Sequence, residues 1–295
     1  MKLTPKTIQI FLPGGDPQGI RVAELTTRIV QVIEVPRSLI GEFTRMPESQ
    51  QVAVYFLFGK TQDGDETVYI GQTGNLKDRL NDHNKKKDFW EKALIIISRT
   101  NSLTQTHALF LEWFCIKTCR DVNRYSDENG NSGSEPYTPA PMQADCMEIF
   151  DTAETLLSTL GYPIFETFAK TSTTDAPSRI YYCSRPGVDG RGQYTPEGFV
   201  ILKGSTGNLT IVSSMVDSAM ERKREELLKS GVYRIEGQTI NLEKDCLFNS
   251  PSMAAAFLAG KAANGWIDWK DENGRTLDEL ERQETGSDST ETEPT

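Results

Sequence analysis

Two tyrosines fall on successive apolar runs, Tyr55 within Val54-Tyr55-Phe56 and Tyr69 within Tyr69-Ile70-Gly71, and Arg79 and His83 follow them. Farther along, Glu112 interrupts a stretch of apolar residues. Phenols can pass protons, a guanidinium can grip a phosphate with two parallel hydrogen bonds, and a carboxylate can hold a cation. Those are the parts that cutting a phosphodiester requires.

The elements that would position these groups follow from local pattern. Val52 to Phe58 is β-branched and aromatic, breaks at Gly59, and is separated from Thr67-Val68-Tyr69-Ile70 by a polar loop, which predicts a hairpin. Thr73-Gly74-Asn75 supplies a turn and a helix N-cap, and on the helix that follows Arg79 and His83 stand four apart on one face. Ala93 to Ile97 is short and branched enough to be a third strand, and Ser102 and Thr104 open a long amphipathic helix reaching Arg120.

Glu112 has Ala108, Leu109, Cys115 and Ile116 as its helical neighbours. A carboxylate on such a face calls for a bound cation or an arginine, because burying it unpaired is costly. The alternative is a boundary glutamate that reaches solvent. His83 likewise reads as a second proton carrier or phosphate donor, or as a solvent-facing helix histidine.

Taken together, residues 52 to 131 resemble the GIY-YIG nucleases, with Val54-Tyr55-Phe56 for the first tripeptide and Tyr69-Ile70-Gly71 for the second. The resemblance implies an α+β fold, a β-β-α-β-α core in which a three-stranded antiparallel sheet is flanked by helices. It implies a catalytic set of Tyr55, Tyr69, Arg79, His83, Glu112 and Asn129, the last chosen over Asn123 and Asn131. Glu112 becomes the ligand of Mg²⁺ or Mn²⁺, and either tyrosine the base, with Tyr55 preferred. A phenol with an ordinary pKa near 10 needs the field of the metal, or a metal-bound water, to act as base. Gly71, Lys77, Lys85, Lys86 and Lys87 are the expected nucleic-acid contacts, although a triple lysine is also the common form of a solvated helix end. The departures are Val54 and Phe56, which a strand tolerates, and Gln72 where many members carry lysine, which puts tyrosine activation in question.

The net charge of −10 is concentrated at the C-terminus, where residues 271–295 carry nine acidic side chains against Arg275 and Arg282. Residues 51–125 hold eleven Lys and Arg against nine Asp and Glu, so a locally positive groove is compatible with the global acidity, whereas strong indiscriminate DNA binding is not. Five scattered cysteines without a CxxC pair read as reduced, buried thiols, not a zinc site or a disulfide framework. No apolar run approaches the roughly eighteen residues of a membrane span, and Met1 to Pro5 lacks a signal-peptide core, so the expected location is the cytoplasm.

The expected organisation is a β-rich N-terminal appendage over 1–48, the nuclease domain with its trailing helix over 49–169, a linker over 170–178, a separate C-terminal α+β accessory domain over 179–283, and an acidic disordered tail over 284–295. The appendage holds two β-rich runs, Thr7 to Leu12 and Ile29 to Val35, around a Gly14-Gly15 turn. Met142 to Leu160 predicts an amphipathic helix ended by Gly161. In the last third, strands are expected at Gly198–Lys203 and Leu209–Val212, a charged helix at Ala219–Lys229 capped by Gly231, and a helix opening at Ser250-Pro251. This part resembles a domain of unassigned function often attached to GIY-YIG proteins, and more faintly modules that accompany restriction methylases. Trp266 and Trp269 read as core residues, with stacking on an exposed base as the alternative.

The function expected is metal-dependent hydrolysis of DNA, single- or double-stranded, in repair, restriction or defence against phage and mobile elements. The rivals are a non-catalytic protein that uses the fold to grip DNA or a partner, and an RNA-cleaving enzyme. Self-association, and a protein partner met through the C-terminal domain or the acidic tail, complete the partners weighed.

Overall fold

β-Branched and aromatic runs buried on both sides read as continuously apolar strands, and one such sheet organises the first half of the chain. The computed structural model describes residues 4–61, 66–130, 133–169, 179–215 and 218–283. The expected linker at 170–178, the tail at 284–295 and Asn131 lie outside the described residues. The chain divides into two compact units, one of Thr4–Thr167 and one of Phe168–Thr295 with Met1–Leu3.

In the first unit the elements run β1 (Ile8–Phe11), β2 (Arg21–Leu25), β3 (Val30–Pro36), α1 (Ile40–Phe43), β4 (Ala53–Lys60), β5 (Glu66–Thr73), α2 (Leu76–Lys86), β6 (Trp90–Ser98), α3 (Gln105–Val122), β7 (Ser126–Asp127) and α4 (Ala140–Thr159). The sheet has seven strands in the order β1-β2-β3-β6-β4-β5-β7, not the three expected. The N-terminal strands are therefore no appendage beside the core. β3 pairs antiparallel with β6 from Val30↔Ser98 to Pro36↔Lys92, closing an edge that the hairpin and third strand alone would leave unpaired. The expected break at Gly59 is a β-bulge instead. The strand continues to Lys60, and glycine is required because a Cβ at residue 59 would stand 2.0 Å from the Phe89 carbonyl oxygen.

Successive side chains of each strand feed opposite cores. Val54, Phe56, Val68, Ile70, Leu94 and Ile96 pack with Leu111, Cys115, Phe150 and Leu157 from α3 and α4. Tyr55, Leu57, Ile95 and Ile97 pack with Leu76 and Leu80 of α2 and Phe43 of α1 on the other face. Helix α4 closes at Gly161, whose φ of 98° allows the Tyr162 N–H to return to the Leu157 carbonyl at 2.9 Å.

The second unit is built on β8 (Tyr181–Arg185), β9 (Val188–Thr195), β10 (Gly198–Ile201), β11 (Thr206–Asn208), α5 (Ala219–Lys229), β12 (Tyr233–Glu236), β13 (Thr239–Leu242), β14 (Cys246–Phe248), α6 (Pro251–Ala259) and α7 (Gly265–Asp268). Its sheet runs β12-β13-β11-β9-β10-β14, with β8 on β9. The strand expected at Leu209–Val212 is found at Thr206–Asn208. Gly207 lies against the α6 backbone, where a Cβ would meet the Leu258 carbonyl oxygen at 2.6 Å, and the Leu209 carbonyl accepts instead from the buried Arg224 at 2.9 Å. Trp269 is core, its Nε1 donating to the Pro251 carbonyl at 3.0 Å. Trp266 is only partly buried, with the Arg282 guanidinium 3.5 Å from its ring centroid.

All five cysteines are free and buried. Burial pushes the thiols of Cys119 and Cys246 up to about 12 and those of Cys146 and Cys183 up to about 11.

Because β3 covers β6 and contributes to both cores, a chain beginning at residue 49 should be less soluble and melt at a lower temperature than the full chain. Circular dichroism and sedimentation of the two proteins check this; equal stability would mean the strand pairing is dispensable.

Candidate active site

The site forms where β4, β5 and α2 meet. Asn75 caps α2 by accepting from the Asp78 N–H, and the spacing Leu76, Leu80, His83 turns His83 inward with the two leucines. His83 is 6% exposed, so the solvent-facing alternative does not hold. Tyr55 is fully buried, and its hydroxyl is shared: Arg79 Nε donates to it at 2.9 Å, and His83 Nε2 lies 2.8 Å away. Since arginine can only donate, the phenol O–H is free to donate to a neutral His83. Burial above all, then Arg79 and Lys87, push His83 down to about 4, which keeps it the neutral acceptor. Burial holds the Tyr55 phenol well above its ordinary value, opposed by the Arg79 hydrogen bond. The Arg79 pKa is raised, chiefly by that same bond.

Tyr69 is half-buried, with its ring centroid 6.3 Å from Tyr55 and 5.1 Å from His83. Gly71 directly opposes Tyr55 across the hairpin, and a Cβ at residue 71 would stand 2.4 Å from the tyrosine hydroxyl oxygen. The glycine is buried under that ring, and its lack of a side chain leaves the space the phenol occupies.

The outer edge of β5 is covered by the two-residue β7 only at Thr67 and Val68. Beyond it, Asn129 Oδ1 accepts from the Ile70 N–H at 2.9 Å while its Nδ2 donates to the Ile70 carbonyl at 2.6 Å. Two residues on, the Gln72 N–H donates to Glu112 Oε1 at 3.0 Å. Glu112 is partly buried, and its pKa is raised by burial, countered by the Gln72 N–H and then by Arg79. Its flank is more open than the sequence implied, since Leu109 is 40% exposed. The Gln72 side chain accepts from Gln105 Nε2 at 2.5 Å. Gln105 was missed in the sequence, though its seven-residue spacing from Glu112, two helical turns, puts both on one side of α3.

The lysines separate. Lys77 and Lys85 are exposed, Lys86 pairs with Asp82 at 3.1 Å, and Lys87 lies with its ammonium 4.3 Å from the centroid of the Tyr69 ring. Among the described residues no group of three or more His, Cys, Asp and Glu is arranged to hold a metal ion, so Glu112 stands as a lone carboxylate.

Paired tyrosines on a hairpin stand with an arginine and a histidine on the next helix and a carboxylate at the strand edge, groups whose chemistry can pass protons and grip an anion. Residues 51–126 match the GIY-YIG catalytic domain, and residues 181–281 match a domain of unknown function (DUF4357). The chain thus carries a GIY-YIG catalytic domain followed by that C-terminal domain. No curated protein and no solved structure matches. No helix among the described residues is long and apolar enough to cross a membrane.

Two outcomes follow from this geometry. Gly71→Ala forces the Tyr55 hydroxyl from its partners and overpacks the hairpin, at about 1–3 kcal/mol of stability; urea denaturation measures it, and an unchanged midpoint would refute the close approach. For His83, the unfolded chain binds a proton below about 6.5 and the folded chain only near 4, so stability is lost as pH falls through that interval. Denaturation midpoints of the wild type and His83→Gln across pH 4–7 should converge toward the acid end.

Proposed function

We propose that this protein is a metal-dependent endonuclease that hydrolyses DNA phosphodiester bonds, in the service of repair, restriction or defence. The observation that carries the reading is the Arg79–Tyr55–His83 hydrogen-bonded chain, buried at one end and opening at the exposed Arg79, with Glu112 held on the neighbouring strand edge. A purely structural cluster has no need of a phenol poised between a permanent cation and a neutral imidazole.

A divalent cation fits the donor set. One partly buried carboxylate, with Oε1 engaged by the Gln72 N–H and no hydrogen-bond partner for Oε2 among the described residues, suits a hard cation that keeps most of its waters, as Mg²⁺ does. Glu112 would hold it, and its charge would ease the departure of the 3′ oxygen and relieve the cost of the buried carboxylate.

The chain's own groups do the rest. The exposed end of the Arg79 guanidinium grips the scissile phosphate, while its Nε keeps the Tyr55 hydroxyl aligned. As an attacking water bonds to phosphorus and the bond to the 3′ oxygen breaks, the water's proton passes to the Tyr55 oxygen, Tyr55's own proton passes to His83 Nε2, and the leaving 3′ oxygen takes a proton from solvent. Tyr55 thus relays a proton without becoming a lasting phenolate, which its raised pKa would oppose. Gln72 cannot supply a cation from the position where many relatives carry lysine; its amide tightens the α3 junction instead.

Incubation of supercoiled plasmid and a single-stranded oligonucleotide with Mg²⁺ or Mn²⁺ should give nicks or breaks that vanish with EDTA and fall roughly 10³-fold or more in Glu112→Ala. Binding without cleavage on either substrate, unaffected by Glu112→Ala, would sink the catalytic reading on DNA. Glu112→Gln should also be inactive but more stable at neutral pH. A carboxyl whose folded pKa is raised loses stability as pH rises above its ordinary value, and the amide removes that loss while keeping an acceptor for the Gln72 N–H. Its thermal midpoint at pH 7 should exceed the wild type's, and the gap should close near pH 4.

A further inference from the structure

We propose that Lys87 is a positioning residue of the phosphodiester site, set apart from the neighbouring lysines: its ammonium packs on the Tyr69 ring and holds that tyrosine and His83 in the arrangement that accepts a proton from Tyr55. The proposal rests on the nuclease reading and deepens it. Lys87 is the C-cap of α2, where the chain leaves the helix with φ −127° and ψ 124°, and its N–H returns to the His83 carbonyl at 2.9 Å. That turn directs the side chain back over the site, with Nζ 4.3 Å from the Tyr69 centroid and 5.8 Å from that of Phe89. The residue is partly buried, whereas Lys85 and Lys86 are exposed and Lys86 is engaged with Asp82. An ammonium over an aromatic face is attracted by the ring's quadrupole and restrains the ring.

The consequence reaches His83 because the Tyr69 and His83 rings are neighbours at 5.1 Å. The charged and titratable groups around His83 are Arg79, Lys86, Lys87 and Asp82 on α2, Tyr55 on β4 and Tyr69 on β5, and of these Arg79 and Lys87 are the principal cations opposing its protonation. With Gln72 neutral and tied to Gln105, Lys87 joins Arg79 as a cation beside the second tyrosine, approaching from the helix end and not from the strand.

The test compares Lys87→Met, which keeps the aliphatic stem, Lys87→Arg, which keeps the charge, and the double variant Lys85→Met/Lys86→Met. Single-turnover cleavage of plasmid, DNA affinity by gel shift in Ca²⁺ at several salt concentrations, and the NMR titration of His83 are read for each. The chain has two histidines, so the His83 signal is readily assigned by removing the other. Expected for Lys87→Met is a cleavage rate lower by roughly tenfold, with little change in affinity, a His83 titration moved upward, and recovery in Lys87→Arg. The Lys85/Lys86 variant should change affinity and its salt slope, and move the His83 titration less than Lys87→Met does. If Lys87→Met behaves like that double variant, Lys87 is a phosphate contact and the proposal is overturned. Should the wild-type chain cut no DNA, the nuclease reading fails and the catalytic part of the proposal with it, while the His83 titration still tests the packing: an unmoved signal in Lys87→Met would falsify the seat of Lys87 beside the Tyr69–His83 pair, and an upward shift would uphold that seat alone.

Discussion

An edge strand must find partners for its outward N–H and C=O groups, and this constraint on β5 governs the site. Backbone groups on one edge recur every second residue, and here the Val68 carbonyl is met by the Glu128 N–H, the Ile70 pair by the Asn129 amide, and the Gln72 N–H by Glu112. A short β7 followed by a side chain that imitates a peptide ends the sheet without exposing it. The carboxylate and the asparagine are thereby fixed by main-chain geometry, not by packing alone. Arg120 secures the segment from the other side, donating to Asp127 at 2.5 Å and to the Asn129 carbonyl at 2.7 Å.

On the opposite side of the hairpin, order comes from an absence. The missing Cβ of Gly71 leaves room for the Tyr55 ring, and the ring's buried hydroxyl then meets Arg79 and His83 one helical turn apart on α2. Each of these groups has one role compatible with the others: guanidinium donor, phenol as acceptor and donor, imidazole acceptor. A charged imidazole would present a second donor to the hydroxyl and break the sequence, so the burial that depresses His83 also defines the direction of the hydrogen bonds.

Much of this was legible in the residues, for local reasons. The hairpin, the Asn75 cap, the third strand and the two long helices each announce themselves within a window of a few residues, and Tyr55, Tyr69, Arg79, His83 and Glu112 inherit their placement from those elements. What escaped notice is long-range. β3 and β6 are separated by some sixty residues, and nothing in either strand names the other as partner. β2 was overlooked because Val22 and Ala23 serve opposite cores, which erases the alternation that marks a half-buried strand. The bulge at Gly59 and the strand at Gly207 are not legible locally, because a glycine there answers a distant backbone, not a local turn. Gln105 and the separate fate of Lys87 were hidden by the same limit, since each acquires its meaning only from a residue on another element.

The burial of every native thiol has a practical side. Each sulfur is both shielded and poorly ionised, so a maleimide or nitroxide reagent at neutral pH finds no good nucleophile on the folded chain. A single cysteine introduced on an exposed helix position would be labelled selectively against an unmodified native background. Fluorescent or spin-label reporters can thus be attached to either unit without first stripping out five core residues whose removal would leave cavities.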